Sequence, residues 1–208
     1  MRGIGKMDRI LFIVPPHIEF DSYTNPSFNE RTVVKKCGSF GSVLTDMPLG
    51  VLSLSAYVRK HAVVITKLLD FNIVLNELED FEFHSFMEFF RECLLMPEWI
   101  DYAPSIIGIS ALFTPSYHNL LDIAQCCRQI FPNALIVAGG GVPTNMYKEI
   151  LTESACFDAL CYGEGEKPLL GLLQADDKLQ YLGAASSWIT RGKVESGEPF
   201  LHDFIEDL

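Results

Sequence analysis

Five apolar runs recur along the chain, and each is followed by a polar or glycine-rich turn. They occupy residues 9–14 (RILFIV), 63–69, 105–112 and 134–141 and the apolar part of residues 157–166. Short continuous apolar runs are typical of strands that are buried on both faces of a parallel sheet. The pattern therefore predicts five buried strands.

Segments with a helical spacing of apolar residues separate these runs. They cover residues 46–61, 81–96, 116–132, 144–154 and 167–174. Five strands that alternate with five helices predict an α/β fold with a doubly wound parallel five-stranded sheet, flavodoxin-like or Rossmann-like. We expect the strand order 2-1-3-4-5, in which ligands bind at the carboxyl ends of the strands.

Two stretches depart from this alternation. Residues 17–46 are polar and long, which predicts a loop beside the ligand-binding edge. Residues 1–178 are predicted to form the main domain. In residues 179–208, apolar and polar positions alternate around Arg191-Gly192-Lys193, which predicts a C-terminal β-hairpin and a linker outside the main sheet.

Unusual residues follow four of the predicted strands. The first strand is followed by Pro15-Pro16-His17, the third by the stretch from Ser110 to Pro115, the fourth ends in Gly139-Gly140-Gly141, and the fifth is followed by Gly163-Glu164-Gly165-Glu166. Glycines allow backbone amides to approach a ligand closely. Two neighbouring glycine-rich strand ends predict a slot for a flat or elongated group.

Nucleotide-binding motifs do not explain this edge. A dinucleotide fold requires GxGxxG after the first strand, where this chain has two prolines, and no GxxxxGK[ST] phosphate loop occurs. A flavin in a flavodoxin-like arrangement stays open, although residues 17–46 do not form the usual Ser/Thr-rich phosphate loop.

Composition narrows the function classes further. The chain of 208 residues has 16 Lys and Arg against 27 Asp and Glu, a net charge of −11, which argues against a nucleic-acid partner. No apolar stretch is long enough to span a membrane, and the N-terminal apolar run lacks a signal-peptide cleavage site. The six cysteines form no CxxC, so we expect buried thiols in a cytoplasmic protein and no metal site made of protein side chains.

The sequence as a whole resembles the cobalamin-binding domain of the cobalamin-dependent radical SAM enzymes. The resemblance runs from about residue 9 to residue 174 and rests on ILFIVPP, MPLGVLSLSAYVRK, IIGISALFTPSY, LIVAGGGVPTN and FDALCYGEGEKPLLGLL. Residues 186–208 resemble the hairpin and linker that precede the radical SAM barrel.

This resemblance implies cobalamin as the cofactor of the domain. S-adenosylmethionine and a 4Fe-4S cluster would belong only to a barrel domain of the same protein that this chain does not include, because the chain has no CxxxCxxC. Related cobalamin domains with a histidine lower ligand carry DxHxxG, which is also missing. The resemblance thus implies base-off binding of cobalamin without a histidine lower ligand. It also implies that the parent enzyme is a methyltransferase and that this chain is not catalytic by itself.

The resemblance also implies the residues that contact the cofactor. Gly139, Gly140 and Gly141 would give the nucleotide tail backbone room, Ser110 and Thr114 would hydrogen-bond it, and Leu112, Phe113 and Tyr117 would pack under the corrin. Glu164 would accept hydrogen bonds from the ribose or corrin amides, and Glu166 would favour the start of the next helix. The full expected set is Pro16, His17, Leu49, Gly50, Ser110, Leu112, Phe113, Thr114, Tyr117, Gly139, Gly140, Gly141, Val142, Gly163, Glu164, Gly165 and Glu166.

Two other functions remain compatible with the sequence. One is a ligand-free regulatory or interaction domain that has kept the fold. The other is a flavodoxin-like electron carrier.

Overall fold

The computed structural model describes residues 7–203 and 205. Its strands are β1 (Asp8–Val14), β2 (Thr32–Lys35), β3 (Gly38–Gly41), β4 (Val64–Asp70), β5 (Ile106–Ser110), β6 (Leu135–Gly139), β7 (Ala159–Cys161) and β8 (Trp188–Ile189). Its helices are α1 (Phe20–Thr24), α2 (Leu49–His61), α3 (Phe71–Glu77), α4 (Phe86–Leu94), α5 (Pro97–Tyr102), α6 (Tyr117–Ile130), α7 (Gly141–Asn145), α8 (Tyr147–Glu153), α9 (Glu166–Gln174), α10 (Lys178–Ala184) and α11 (Arg191–Ser196).

A six-stranded sheet forms the centre of the molecule, in the order β4-β1-β5-β6-β7-β8. The first five of these strands run parallel, and β8 pairs antiparallel with β7 at the edge. The mostly parallel sheet and its helices confirm the predicted α/β class. In the numbering of the predicted strands, the parallel part has the order 2-1-3-4-5, and β8 is an additional strand.

Each strand of the central sheet divides its side chains between two apolar cores. In β1, Leu11 and Ile13 belong to a core with α4 and α6, whereas Ile10, Phe12 and Val14 belong to a core with α2 and α9. This division follows from the period of two along a strand. Both faces of the sheet are therefore covered, as the continuous apolar runs predict.

The long polar loop predicted at residues 17–46 contains regular structure instead. It holds α1 and the antiparallel ribbon of β2 and β3. Tyr23 and Phe40 stack with their ring centroids 5.2 Å apart, and both rings pack edge-on against Phe81. These aromatic residues hold the segment in the core. The polar residues around them in the sequence gave no indication of this packing.

The predicted C-terminal hairpin is wrong. The segment contributes β8 to the main sheet and then forms helix α11. Thr190 caps this helix by accepting a hydrogen bond from the Lys193 N–H, and Gly197 ends it with a φ of 72°. The end of the predicted segment, residues 204 and 206–208, lies outside the described residues.

Two cations fix this region to the sheet. The Nζ of Lys193 is buried and donates hydrogen bonds to the carbonyls of Leu182, Ala185 and Trp188. The Arg191 guanidinium donates to the carbonyl of Leu151 and to other carbonyls near α8. Because these carbonyls are arranged around the segment, α11 is favoured over the hairpin.

Candidate functional site

A cavity of about 240 Å³ lies at the carboxyl ends of β5, β6 and β7, between the sheet and helices α2 and α9. It is lined by Phe12, Gly50, Leu54, Gly108, Ile109, Ser110, Val137, Ala138, Gly139, Gly140, Cys161, Gly163, Glu164, Gly165, Glu166, Leu169 and Trp188. We call this cavity the sheet-end pocket. It lies where a doubly wound sheet is expected to bind its ligand.

Small residues on one face of the sheet create the space. On this face, Gly108 pairs with Phe12 on one side and Val137 on the other, and Ser110 pairs with Gly139 one step nearer the strand ends. A Cβ on Gly139 would lie 3.6 Å from the Cβ of Cys161, which is an ordinary contact distance. Larger residues at these positions would fill the pocket, so their size determines its volume.

Two glycines at the pocket adopt backbone angles in the left-handed region. Gly140 has a φ of 101°, and a Cβ there would lie 2.6 Å from the Ala111 carbonyl oxygen. Gly163 has a φ of 83°, and its N–H donates to the Thr144 hydroxyl at 3.2 Å. These turns require glycine because other residues rarely adopt such angles and Gly140 has no room for a side chain.

Direct contacts join α2 and α9 over the pocket. The Ser53 hydroxyl donates to Glu166 Oε1 at 2.8 Å. A Cβ on Gly165 would lie 3.0 Å from Leu54 Cδ2, so the β7–α9 turn is in close contact with α2. The two helices therefore form a single wall of the pocket.

Polar groups at the inner end of the pocket are already paired. Trp188 is buried, and its indole Nε1–H donates to the Pro168 carbonyl at 3.4 Å. The Cys161 thiol donates to the Glu164 carbonyl at 3.5 Å. Burial raises the pKa of Cys161 to about 12, so this thiol stays protonated and neutral at physiological pH.

Two buried asparagines hold residues 15–18, which follow β1. Asn119 donates through Nδ2 to the carbonyls of Pro16 and Ile18 at 3.0 and 2.8 Å. Asn72 accepts from the His17 N–H at 2.8 Å and donates to the Pro15 carbonyl at 3.1 Å. The loop therefore has a defined conformation, although its sequence gives no sign of these distant partners.

His17 lies at this edge with its ring edge-on to Phe113, at a centroid distance of 4.9 Å. Burial lowers the pKa of His17 below its ordinary value of 6.5, and the carboxylates of Asp70 and Asp46 oppose this shift by attraction. The imidazole is therefore mainly neutral at physiological pH.

Large apolar side chains are exposed next to the pocket and the loop. Leu112 and Phe113, which follow β5, are 60% and 44% exposed, and Leu49 at the start of α2 is 69% exposed. Such exposed side chains at one edge of a fold are typical of a surface that binds an apolar ligand or another domain.

The structure places the predicted site residues in three groups. The sheet-end pocket is lined by Gly50, Ser110, Gly139, Gly140, Gly163, Glu164, Gly165 and Glu166. At the same edge but outside the lining, Leu49, Leu112, Phe113 and Thr114 are exposed, and His17 and Gly141 are half-buried. The remaining three, Pro16, Tyr117 and Val142, are buried. Tyr117 and Val142 belong to the core on the other face of the sheet. The structure therefore does not support direct packing of Tyr117 under a corrin.

Several pocket residues are missing from the sequence-based set. They are Phe12, Leu54, Gly108, Ile109, Val137, Ala138, Cys161, Leu169 and Trp188. The period of two in the third and fourth strands could have indicated Gly108 and Val137, which share a face with Ser110 and Gly139. Trp188 could not have been found in this way, because it reaches the pocket through the unpredicted strand β8.

Within residues 7–203 and 205, no group of three or more His, Cys, Asp or Glu side chains is placed to hold a metal ion. In the same part of the chain, no helix has both the length and the apolar character needed to cross a membrane.

Comparison with known protein families gives one match over most of this region. The model of the B12 binding domain matches residues 41–173, which include α2, all but the last residue of α9, and the carboxyl ends of β5, β6 and β7. The match covers well over half of the chain.

Three curated relatives match parts of the chain at 25–35% sequence identity. The anaerobic magnesium-protoporphyrin IX monomethyl ester cyclase of Rubrivivax gelatinosus is 33% identical over 79 residues, and that of Cereibacter sphaeroides is 35% identical over 75 residues. An uncharacterized methyltransferase of Pyrococcus horikoshii is 25% identical over 196 residues, or 93% of this chain. The matched segments are 14%, 12% and 35% of these relatives' own lengths, so the relatives are much longer proteins.

Proposed function

The chain belongs to the B12 binding domain family, and we propose that it binds cobalamin in the base-off form, without a histidine lower ligand, as a module of a larger enzyme. The nucleotide tail of the cofactor would enter the sheet-end pocket. The corrin would lie over the carboxyl edge, next to Leu112, Phe113 and His17.

The pocket is the observation that carries this proposal. The whole pocket has a volume of about 240 Å³. Its inner end is apolar, whereas its outer end has Ser110, Glu164 and the backbone of the glycine turns. An apolar cavity of about 150 Å³ already holds benzene, so there is room for a fused aromatic base. The outer hydroxyl, carboxylate and amide groups would contact the sugar part of the tail.

The proposed coordination state follows from the residues after β1. The chain lacks DxHxxG there, and residues 15–18 are fixed by Asn72 and Asn119. The ring of His17 packs against Phe113. A lower cobalt ligand would then be water or absent, which is the state that favours reduction of cobalt and methyl transfer.

The parent enzyme is proposed to be a cobalamin-dependent radical SAM methyltransferase. In this proposal, S-adenosylmethionine and a 4Fe-4S cluster belong to a barrel domain outside this chain, because the chain has no CxxxCxxC. The greater length of the curated relatives and the methyltransferase name of one of them support this view. The cyclase names of the other two are compatible with a different reaction of the parent.

Titration of the purified chain with hydroxocobalamin tests the proposal. We expect saturable binding and a base-off visible spectrum that stays the same in His17→Ala. Gly139→Val should abolish binding without unfolding the chain, because it fills the pocket from a strand position with room for a Cβ. Gly183→Ala, which changes a helical glycine with open space around it, is the control.

Absence of binding in the unchanged chain would contradict cobalamin binding by this domain alone and favour the ligand-free alternative. Binding with a spectrum that changes in His17→Ala would contradict the missing histidine ligand.

A further inference from the structure

We propose that the inner end of the sheet-end pocket selects cobamides with an apolar lower base over those with a purine base. This inference rests on the proposed function and concerns the part of the tail that enters the pocket.

The inner wall of the pocket is made of apolar side chains. Phe12 and Val137 line it from the sheet, Leu169 from α9 and Trp188 from β8, and all four are almost completely buried. Their side chains offer carbon surface to a flat ring. A benzimidazole base would bury its apolar area against these residues.

Two polar groups at this end of the pocket have hydrogen-bond partners already. The Trp188 indole N–H donates to the Pro168 carbonyl, and the Cys161 thiol donates to the Glu164 carbonyl. Glu166 accepts from Ser53 through Oε1 at the rim. At the inner end, a purine would find the indole N–H and the thiol hydrogen already donated to backbone carbonyls.

Burial of unpaired polar groups has a large free-energy cost, and a benzimidazole base buries fewer of them than a purine base does. Compared with dimethylbenzimidazole, the lower base of cobalamin, adenine has two additional ring nitrogens and one exocyclic amine, and it lacks the two methyl groups. We expect adeninylcobamide to bind about 10- to 100-fold more weakly than cobalamin, the range by which an apolar pocket rejects a polar analogue of similar shape.

Ser110 also contributes a polar side chain to the lining of the pocket. It is half-buried at the last position of β5 and therefore lies nearer the strand ends than Gly108 and Val137. We expect its hydroxyl to contact the sugar of the tail and not the base. Ser110→Ala should then weaken the binding of both cobamides by the same factor.

The experiment measures Kd for cobalamin, adeninylcobamide and cobinamide, which lacks the nucleotide tail. Each apparent Kd is corrected for the base-off fraction of the free cobamide, read from its visible spectrum. The expected order of affinity is cobalamin, then adeninylcobamide. Val137→Thr, which adds a hydroxyl to the inner wall at similar volume, should reduce the ratio between the two.

Equal corrected affinities for cobalamin and adeninylcobamide would overturn the inference and leave cobalamin binding itself intact. Equal affinity for all three corrinoids would overturn it as well, by showing that the tail contributes nothing. If none of the three binds, the proposed function fails together with the inference. A change in the base preference in Ser110→Ala would assign the selection to the rim instead of the inner wall.

Discussion

The Ser53 hydroxyl and Glu166 Oε1 are 2.8 Å apart and form a hydrogen bond between α2 and the first residue of α9. These helices bound the sheet-end pocket on the side opposite the sheet, and Glu166 lines it. The bond is solvent-exposed, so its contribution to stability is small. Its position gives it a larger role in keeping the two helices at a fixed separation.

Replacement Ser53→Ala is therefore expected to affect cobalamin binding more than stability. We expect an increase in Kd of about two- to fivefold, the equivalent of about 0.5–1 kcal/mol. Ser55→Ala is a matched control, because it removes a 2.8 Å bond between α2 and Thr66 away from the pocket. Titration of both variants should separate them, and equal effects on Kd would contradict a specific role for Ser53.

Gly140 should tolerate no side chain. In Gly140→Ala, the new Cβ would lie 2.6 Å from the Ala111 carbonyl, and a φ of 101° is strained for alanine. We expect the free energy of unfolding to fall by at least about 2 kcal/mol. Urea denaturation of this variant and of Gly183→Ala, which should be slightly stabilised, provides the comparison. A Gly140→Ala variant as stable as the original would show that the turn can rearrange.

The two buried asparagines are expected to contribute to stability through the residues they hold. Asn119→Leu keeps the side-chain size but leaves the Pro16 and Ile18 carbonyls without their donor. Each orphaned group costs about 1–3 kcal/mol, which should appear as a lower urea midpoint with an unchanged slope. Asn145→Leu, where the lost bond to the Gly141 carbonyl is exposed, should change the midpoint little. Equal effects would mean that water replaces Asn119.

The parts of the molecule that follow from local patterns could be predicted from the sequence. Continuous apolar runs such as residues 9–14 require burial on both faces, and the glycines at residues 139–141 and 163–165 require close backbone approach. The rest depends on long-range contacts. Trp188 reaches the pocket only because β8 pairs with β7, and Asn72 and Asn119 act on residues more than 50 positions away. Local alternation also suggested a hairpin where buried carbonyl partners for Lys193 and Arg191 favour α11.

The titration of His17 gives a prediction on pH. Because burial lowers its pKa, the folded chain binds a proton less readily than the unfolded chain, whose His titrates near 6.5. The contribution of His17 to the free energy of unfolding is thus fully present above pH 6.5, and it is lost as the pH decreases through the lower pKa of the folded state. NMR titration of the His17 C–H signals should give a pKa below 6.5.

Asp46→Asn should lower the pKa of His17 further, because the Asp46 carboxylate attracts the imidazolium. The His17→Gln variant lacks the titrating imidazole. Its free energy of unfolding in urea should therefore depend less on pH below pH 6.5 than that of the unchanged chain. A His17 pKa at or above 6.5 would contradict the burial of the ring.

The segment of residues 198–203 lies against the β7–α9 turn through Phe200 and His202. The His202 ring lies 4.5 Å from the ring of Tyr162, and a Cβ on Gly163 would collide with it. Phe200 packs on Tyr162 from the same segment.

We expect Phe200→Ala to loosen the turn, so that the amides of residues 162–166 exchange hydrogen about tenfold faster, the equivalent of about 1.4 kcal/mol of local stability. Hydrogen exchange measured by mass spectrometry tests this, with exposed Leu201→Ala as the control. Unchanged exchange in the turn would show that the segment lies on the turn without stabilising it. Faster exchange would show that this segment stabilises a turn whose residues Gly163, Glu164 and Gly165 form part of the lining of the sheet-end pocket.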